Sequence, residues 1–141
     1  MNTYKTLQVL LLGSALLNVG AASADDRKDP GRREYRTSCA ACHGPEGKGD
    51  GPLAASLNKA PTNLTLLAKS NGGVFPAQRV QQVIDGRAEV KPHGSREMPI
   101  WGERFTNQGN SEYFDVPFNP DAYVAARILV LSEYLNRIQA K

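Results

Sequence analysis

The chain has 141 residues, a formal net charge of +3, and hydrophobic side chains at 40% of its positions. That is the size of one domain, or of one domain and a processing segment. The small charge excess, with no basic stripe interleaved with aromatics, excludes nucleic acid as a partner, and the 2 cysteines are too few for a four-cysteine zinc ribbon.

In chain order, residues 1–24 read as a signal peptide. Lys5 supplies a positive start, residues 7–19 are mostly apolar, and Ala22-Ser23-Ala24 is the small-x-small pattern that a signal peptidase cuts. Cleavage after Ala24 leaves residues 25–141 as one domain exported to the periplasm. A retained membrane anchor is the weaker alternative, because the apolar run is short for a bilayer and Asp25, Asp26, Arg27 and Lys28 follow it at once. In an oxidising compartment two cysteines do not persist as free thiols unless something uses them.

The pattern beyond residue 24 is helical wherever it is clear, and nothing reads as a strong strand. A first helix is expected over residues 31–41, with Tyr35 and Cys39 four apart on one face. A long loop punctuated by Gly and Pro follows. A short helical turn is expected over residues 64–69, closed by Asn71-Gly72-Gly73. Pro76 suits the first position of another helix carrying Val80, Val83 and Ile84, and Gly86 suits its end. Residues 87–120 read as mostly irregular. The last helix has the clearest period: Asp121 can cap it, Val124, Ile128, Leu131, Leu135 and Ile138 form one apolar stripe, and Tyr134 lies beside it. A few short helices joined by long loops make a thin core, and long irregular loops in a compact domain usually wrap something.

The cysteines fall in "TSCAACHGPEGKGDG", which begins at Thr37. A thioredoxin-like dithiol would need a strand-helix-strand unit, which this pattern does not offer. A structural disulfide between residues three apart would close too small a loop to stabilise much. Mononuclear blue copper wants two histidines, a cysteine and a weak methionine on a strand-rich scaffold. Cys39-x-x-Cys42-His43 fits a c-type haem attachment site instead. Two thiols add across the two vinyl groups of the porphyrin, one turn of chain bends round its edge, and His43 then lies beneath the iron as the proximal ligand. Met98, the one methionine besides the initiator, sits in "REMPIWGERF" before the last helix, where its thioether can close on the other axial position. Pro99 would stiffen that backbone, while Trp101 and Phe105 are available to exclude water. His93 is the competing ligand; it could equally contact a haem carboxylate or be a surface imidazole.

These residues together resemble the bacterial class I cytochromes c, over nearly all of residues 25–141. Gly31, Tyr35 and Cys39 are similar to that family's first-helix pattern, and Leu131 and Tyr134 to its last-helix pair. The resemblance implies an all-α cytochrome c fold: three to five short helices with long loops around one covalent haem, and the first and last helices crossing at the small glycine. It also implies that Pro61 and Leu64 follow the haem motif as in the family, with the Pro61 carbonyl accepting from His43. The segment "HGSREMPIW", residues 93–101, resembles a recurring methionine loop. Residues 106–120 are longer than a compact member needs. Their aromatics Tyr113, Phe114 and Phe118 would lie on the haem edge, on a partner surface or, by default, in a variable surface loop.

The implied function is one-electron transfer by a periplasmic carrier with His43/Met98 ligation, not catalysis. Its partners would be redox proteins, respiratory or dehydrogenase, met either as a soluble shuttle or as a haem subunit held in a larger oxidoreductase. In a third reading Met98 leaves the iron and a small molecule binds. Lys48, Arg87, Lys91 and Arg96 are candidates for a basic docking patch around the exposed haem edge, which ordinary solvated charges would mimic.

Overall fold

Asp29 and Pro30 start the first helix in the way their chemistry favours. The Asp29 carboxylate accepts the Arg32 amide at 3.1 Å, and Pro30, which has no N–H to lose, takes the first turn. The structure, a computed structural model, describes residues 28–88 and 98–141; the expected signal peptide, His93, Lys91 and Arg96 lie outside these. Among the described residues there are five α-helices and three 3-10 turns, and no strand. Helix α1 is Pro30–Ser38, α2 is Ala40–His43, α3 is Ala77–Asp85, α4 is Trp101–Glu112 and α5 is Pro120–Arg137. The 3-10 turns are Ala54–Ser56, Leu64–Leu66 and Lys69–Asn71. None of the described helices is long and apolar enough to cross a membrane.

Several boundaries differ from the expected ones for local reasons. The expected helix over residues 31–41 is two segments, because Cys39 departs from helical geometry at φ −119° before the chain turns again into α2. Pro76 stands one residue before α3 as its cap, and Gly86 ends α3 in the left-handed region at φ 94°, with its amide on the Gln82 carbonyl. Gly72 closes the turn over Lys69–Asn71 in the same way, at φ 67°. The cap of α5 is Asn119, whose side chain accepts the Ala122 amide at 3.1 Å. Asp121 lies inside the first turn, where its charge still suits the helix dipole.

The largest correction is α4, which occupies part of the stretch expected to be irregular. Its inward face is Gly102, Phe105 and Gly109. The spacing is helical, but two of the three positions have no side chain, so the apolar period is faint. Those glycines admit close neighbours: a Cβ on Gly102 would fall 2.2 Å from an Asp85 carboxylate oxygen, and one on Gly109 would fall 2.9 Å from the Tyr123 ring. Residues 106–120 are therefore half helix. Tyr113 and Phe118 stack with each other at 5.2 Å and pack edge-on against Tyr123 of α5. Phe114, by contrast, is 84% exposed.

Helix α5 is the hub, touching α1, α3 and α4. Its expected stripe is the one that packs: Ile128, Leu131 and Leu135 are buried, while Val124 and Ile138 are partly buried against the same core. The three largest fully buried side chains, Tyr35, Phe105 and Leu131, come one each from α1, α4 and α5. The expected crossing of first and last helices is present. A Cβ on Gly31 would stand 2.2 Å from the Val130 carbonyl oxygen and 2.8 Å from the Tyr134 Cβ, so α1 lies directly on the α5 backbone. Arg127 fastens the same helices with a fork. Its guanidinium meets the Glu34 carboxylate of α1 at 3.0 and 2.9 Å, donates to the Gln108 side chain of α4 at 2.7 Å, and lies 4.0 Å from the Phe105 ring centroid.

Candidate haem site

The two thiols and the imidazole occupy a single turn. The Cys39 amide bonds the Tyr35 carbonyl at 2.8 Å, and the Cys39 carbonyl in turn accepts from Cys42 at 3.2 Å and His43 at 2.9 Å. Both cysteines are free thiols. Burial, then the Glu34 carboxylate and the second thiol, push the Cys39 thiol up to about 12. An attacking thiol in a dithiol exchange site needs the opposite shift, toward thiolate, so Cys39 is not poised for that role.

After His43 the chain folds back under its own motif. Gly49 donates to the His43 carbonyl at 2.8 Å, Gly51 to Cys42 at 3.1 Å and Leu53 to Ala41 at 2.9 Å. Tyr35, fully buried, donates its hydroxyl to the Gly44 carbonyl at 2.6 Å and ties the residue after the histidine to α1.

His43 Nδ1 lies 2.9 Å from the Thr62 carbonyl oxygen. A carbonyl can only accept, so Nδ1 carries the proton and Nε2 is left with a lone pair, the tautomer that an iron ligand requires. Burial holds the His43 pKa below its ordinary value against the opposing pull of the Thr62 carbonyl, which keeps the ring neutral. The expected acceptor was the Pro61 carbonyl. That oxygen instead faces Gly49, where a Cβ would stand 2.4 Å from it. Glycine, at φ 85°, is what permits the approach, and the next carbonyl turns to the imidazole.

Met98 packs on the same hydrophobic core as Cys39, Ala40, Leu64, Leu67, Phe75 and Trp101. It stands three residues before α4, and the segment that follows it is held by two contacts: Ile100 fills the space beside Gly86, and Gly102 rests on Asp85. Trp101 and Phe105 stack at 5.7 Å, with Phe105 buried. Of the proposed basic patch, Lys48 pairs with Glu46 at 2.5 Å and Arg87 pairs with Asp85.

Two unpaired thiols on one turn, a neutral imidazole with Nε2 available and a thioether packed on the same core fit haem c in their donor chemistry. The comparison with known families decides the assignment: a family model described as cytochrome c oxidase, cbb3-type, subunit III matches residues 26–109. The chain belongs to this family. No curated protein and no solved structure gives a significant match. The protein is thus a mono-haem cytochrome c domain with covalent haem c, all-α, and its function is electron transfer. The match covers α1 to α3 and most of α4. Helix α5, which completes the fold of this cytochrome domain, lies beyond it.

Sequence reasoning missed Thr62, Arg127 and Gln139. Thr62 contributes only a backbone oxygen, which no side-chain pattern encodes. Arg127 and Gln139 act across 93 and up to 75 residues of chain.

Proposed function

We propose that this cytochrome c domain is a periplasmic one-electron carrier, exported through residues 1–24, in which Cys39 and Cys42 form the thioether links, His43 is the proximal ligand and Met98 the distal one. The observation that carries the reading is the His43 Nδ1–Thr62 contact at 2.9 Å, because it fixes the ring in the ligating tautomer. When bound, the haem supplies a one-electron iron couple. The chain's part is to hold. His43 is oriented by Thr62, Met98 offers a soft donor that favours ferrous iron, and the core under Tyr35, Phe105 and Leu131 excludes water. With both axial positions taken by side chains, small molecules have no open coordination site.

Carbon monoxide tests this. The ferrous protein at neutral pH should show no spectral change on mixing, whereas Met98→Ala should bind it readily. Binding by the unaltered protein would favour the sensor or enzyme reading, and an unaltered spectrum in Met98→Ala would move the ligand role to another residue, His93 first.

A second reading, a haem subunit held in a larger oxidoreductase, is favoured by one observation. Tyr113, Phe114 and Val116 are 41%, 84% and 53% exposed in one short segment, an apolar surface the fold itself does not need. Donor and acceptor are redox proteins in either case, and a terminal oxidase is a candidate acceptor. Copurification of the native protein with a larger oxidoreductase, abolished by Phe114→Ser with Val116→Ser, would select the subunit over the shuttle.

A further inference from the structure

Residues 138–140 do not trail away from the fold; they close on the loops that hold the histidine. Past the end of α5, the Ile138 side chain lies 3.0 Å from the Cβ position of Gly47 in the haem-motif loop. The Gln139 side chain then bonds in both senses: its carbonyl accepts the Ala68 amide at 2.9 Å, and its NH2 donates to the Leu64 carbonyl at 2.8 Å and the Leu135 carbonyl at 2.7 Å. Ala140 adds its amide to the Thr65 carbonyl at 2.8 Å. The loop so gripped is tied on its inner side to the haem-motif loop, through Leu64 N–H on the Gly47 carbonyl at 2.7 Å. Two residues before Leu64 stands Thr62, the acceptor for His43 Nδ1.

We infer that Gln139 is a positioning residue for the axial histidine: it holds the outer side of residues 62–68 so that the Thr62 carbonyl stays against Nδ1. A single amide that satisfies one donor and two acceptors on two separate segments fixes their spacing more tightly than apolar contact would. A well-aligned acceptor on Nδ1–H makes the imidazole a more basic ligand, which favours ferric iron. Loosening the clasp therefore raises the midpoint potential. The inference rests on His43 being the proximal ligand.

The test uses the haem-loaded protein and three variants. Gln139→Ala should speed solvent exchange of the His43 Nδ1 proton in the ferrous state roughly fivefold, the worth of one net hydrogen bond, and should shift the midpoint potential upward. Gln139→Met keeps the length of the side chain without its hydrogen-bonding groups and adds no charge, so it should move both readouts in the same direction as Gln139→Ala. Val80→Ala, a core truncation outside these loops, should lower thermal stability without moving either readout. If Gln139→Ala lowers stability while exchange and potential stay where they were, the clasp is merely structural and the inference is wrong. If the His43 ring protons of the unaltered ferrous protein lack the large upfield shift of an iron-bound imidazole, ligation by His43 fails first and the inference falls with it. The two failures are told apart by that spectrum.

Discussion

Replacing Gly31 by Ala puts two opposite effects in competition, and the structure says which wins. On an isolated helix the change is stabilising, by up to about 1 kcal/mol, because glycine has more backbone freedom to lose. At this crossing the new methyl would stand 2.2 Å from the Val130 carbonyl oxygen and 2.8 Å from the Tyr134 Cβ. The first is more than about 1 Å inside ordinary van der Waals contact and the second more than about 0.5 Å. The first obstacle is backbone in the middle of α5, so no rotamer change relieves it and the two helices must separate. Overpacking of this kind costs ~1–3 kcal/mol, and a backbone obstacle belongs at the upper end. Subtracting the propensity gain leaves a net loss of about 2 kcal/mol.

For a domain of this size that corresponds to a fall in Tm of about 6–10 °C. Thermal unfolding of the haem-loaded protein, followed by helical circular dichroism, measures it. Gly109→Ala is the internal comparison, since its methyl would meet the Tyr123 and Phe118 rings at 2.9 to 3.1 Å, and rings can swing aside. Its loss should be the smaller. An unchanged or higher Tm for Gly31→Ala would mean that α1 and α5 do not cross in contact, and would refute the helix arrangement on which the core depends.

Two further outcomes follow from the polar contacts. Arg127→Leu should cost about 2–3 kcal/mol in urea unfolding, because it strands the Glu34 carboxylate; this is less than the roughly 3–5 kcal/mol of a fully buried pair, since both partners retain some solvent. Asp29 is pulled upward by partial burial, but the Arg32 amide and the Arg137 guanidinium outweigh this and hold its carboxyl below the usual range. A depressed carboxyl contributes stability that is present above its unfolded value of about 4 and is lost as pH falls through the folded one. Asp29→Asn should therefore lower Tm at pH 7 and narrow the gap to the unaltered protein as the pH is taken to 3; a gap that stays constant would mean the carboxylate contributes nothing through its charge.

What the sequence made legible was whatever depended on side-chain identity at fixed spacing. Cys39, Cys42 and His43 on one turn, the α5 stripe from Val124 to Ile138, and glycine at the helix crossing all follow from periodicity and motif. The cap of α5 was within reach: proline prefers the first helical position, so Pro120 points to Asn119 rather than Asp121 as the cap. The rest was hidden for definite reasons. Helix α4 hides because Gly102 and Gly109 leave two of its contact positions without a hydrophobic mark. The choice of Thr62 over Pro61 is one of carbonyl direction, set by Gly49 from another loop. The clasp of Gln139 depends on a polar side chain meeting backbone groups up to 75 residues away, which residue type alone does not specify.

The hidden helix also changes what the methionine segment is. Read as a loop, it would have to give up the entropy of ordering a long irregular stretch each time Met98 closed on the iron. Read with α4 in place, Met98 stands three residues before a helix of 12 residues. That helix is held at its start by Asp85 against Gly102, at its middle by Phe105 in the core, and near its end by Gln108 on Arg127 and Gly109 under Tyr123. Ile100 against Gly86 brings the segment back to the end of α3. Ordering on the side of α4 is thus met by packing that exists whether or not the thioether is ligated. The thioether proposed as the distal donor is presented by the core, much as the imidazole proposed as the proximal one is presented by the Thr62 carbonyl.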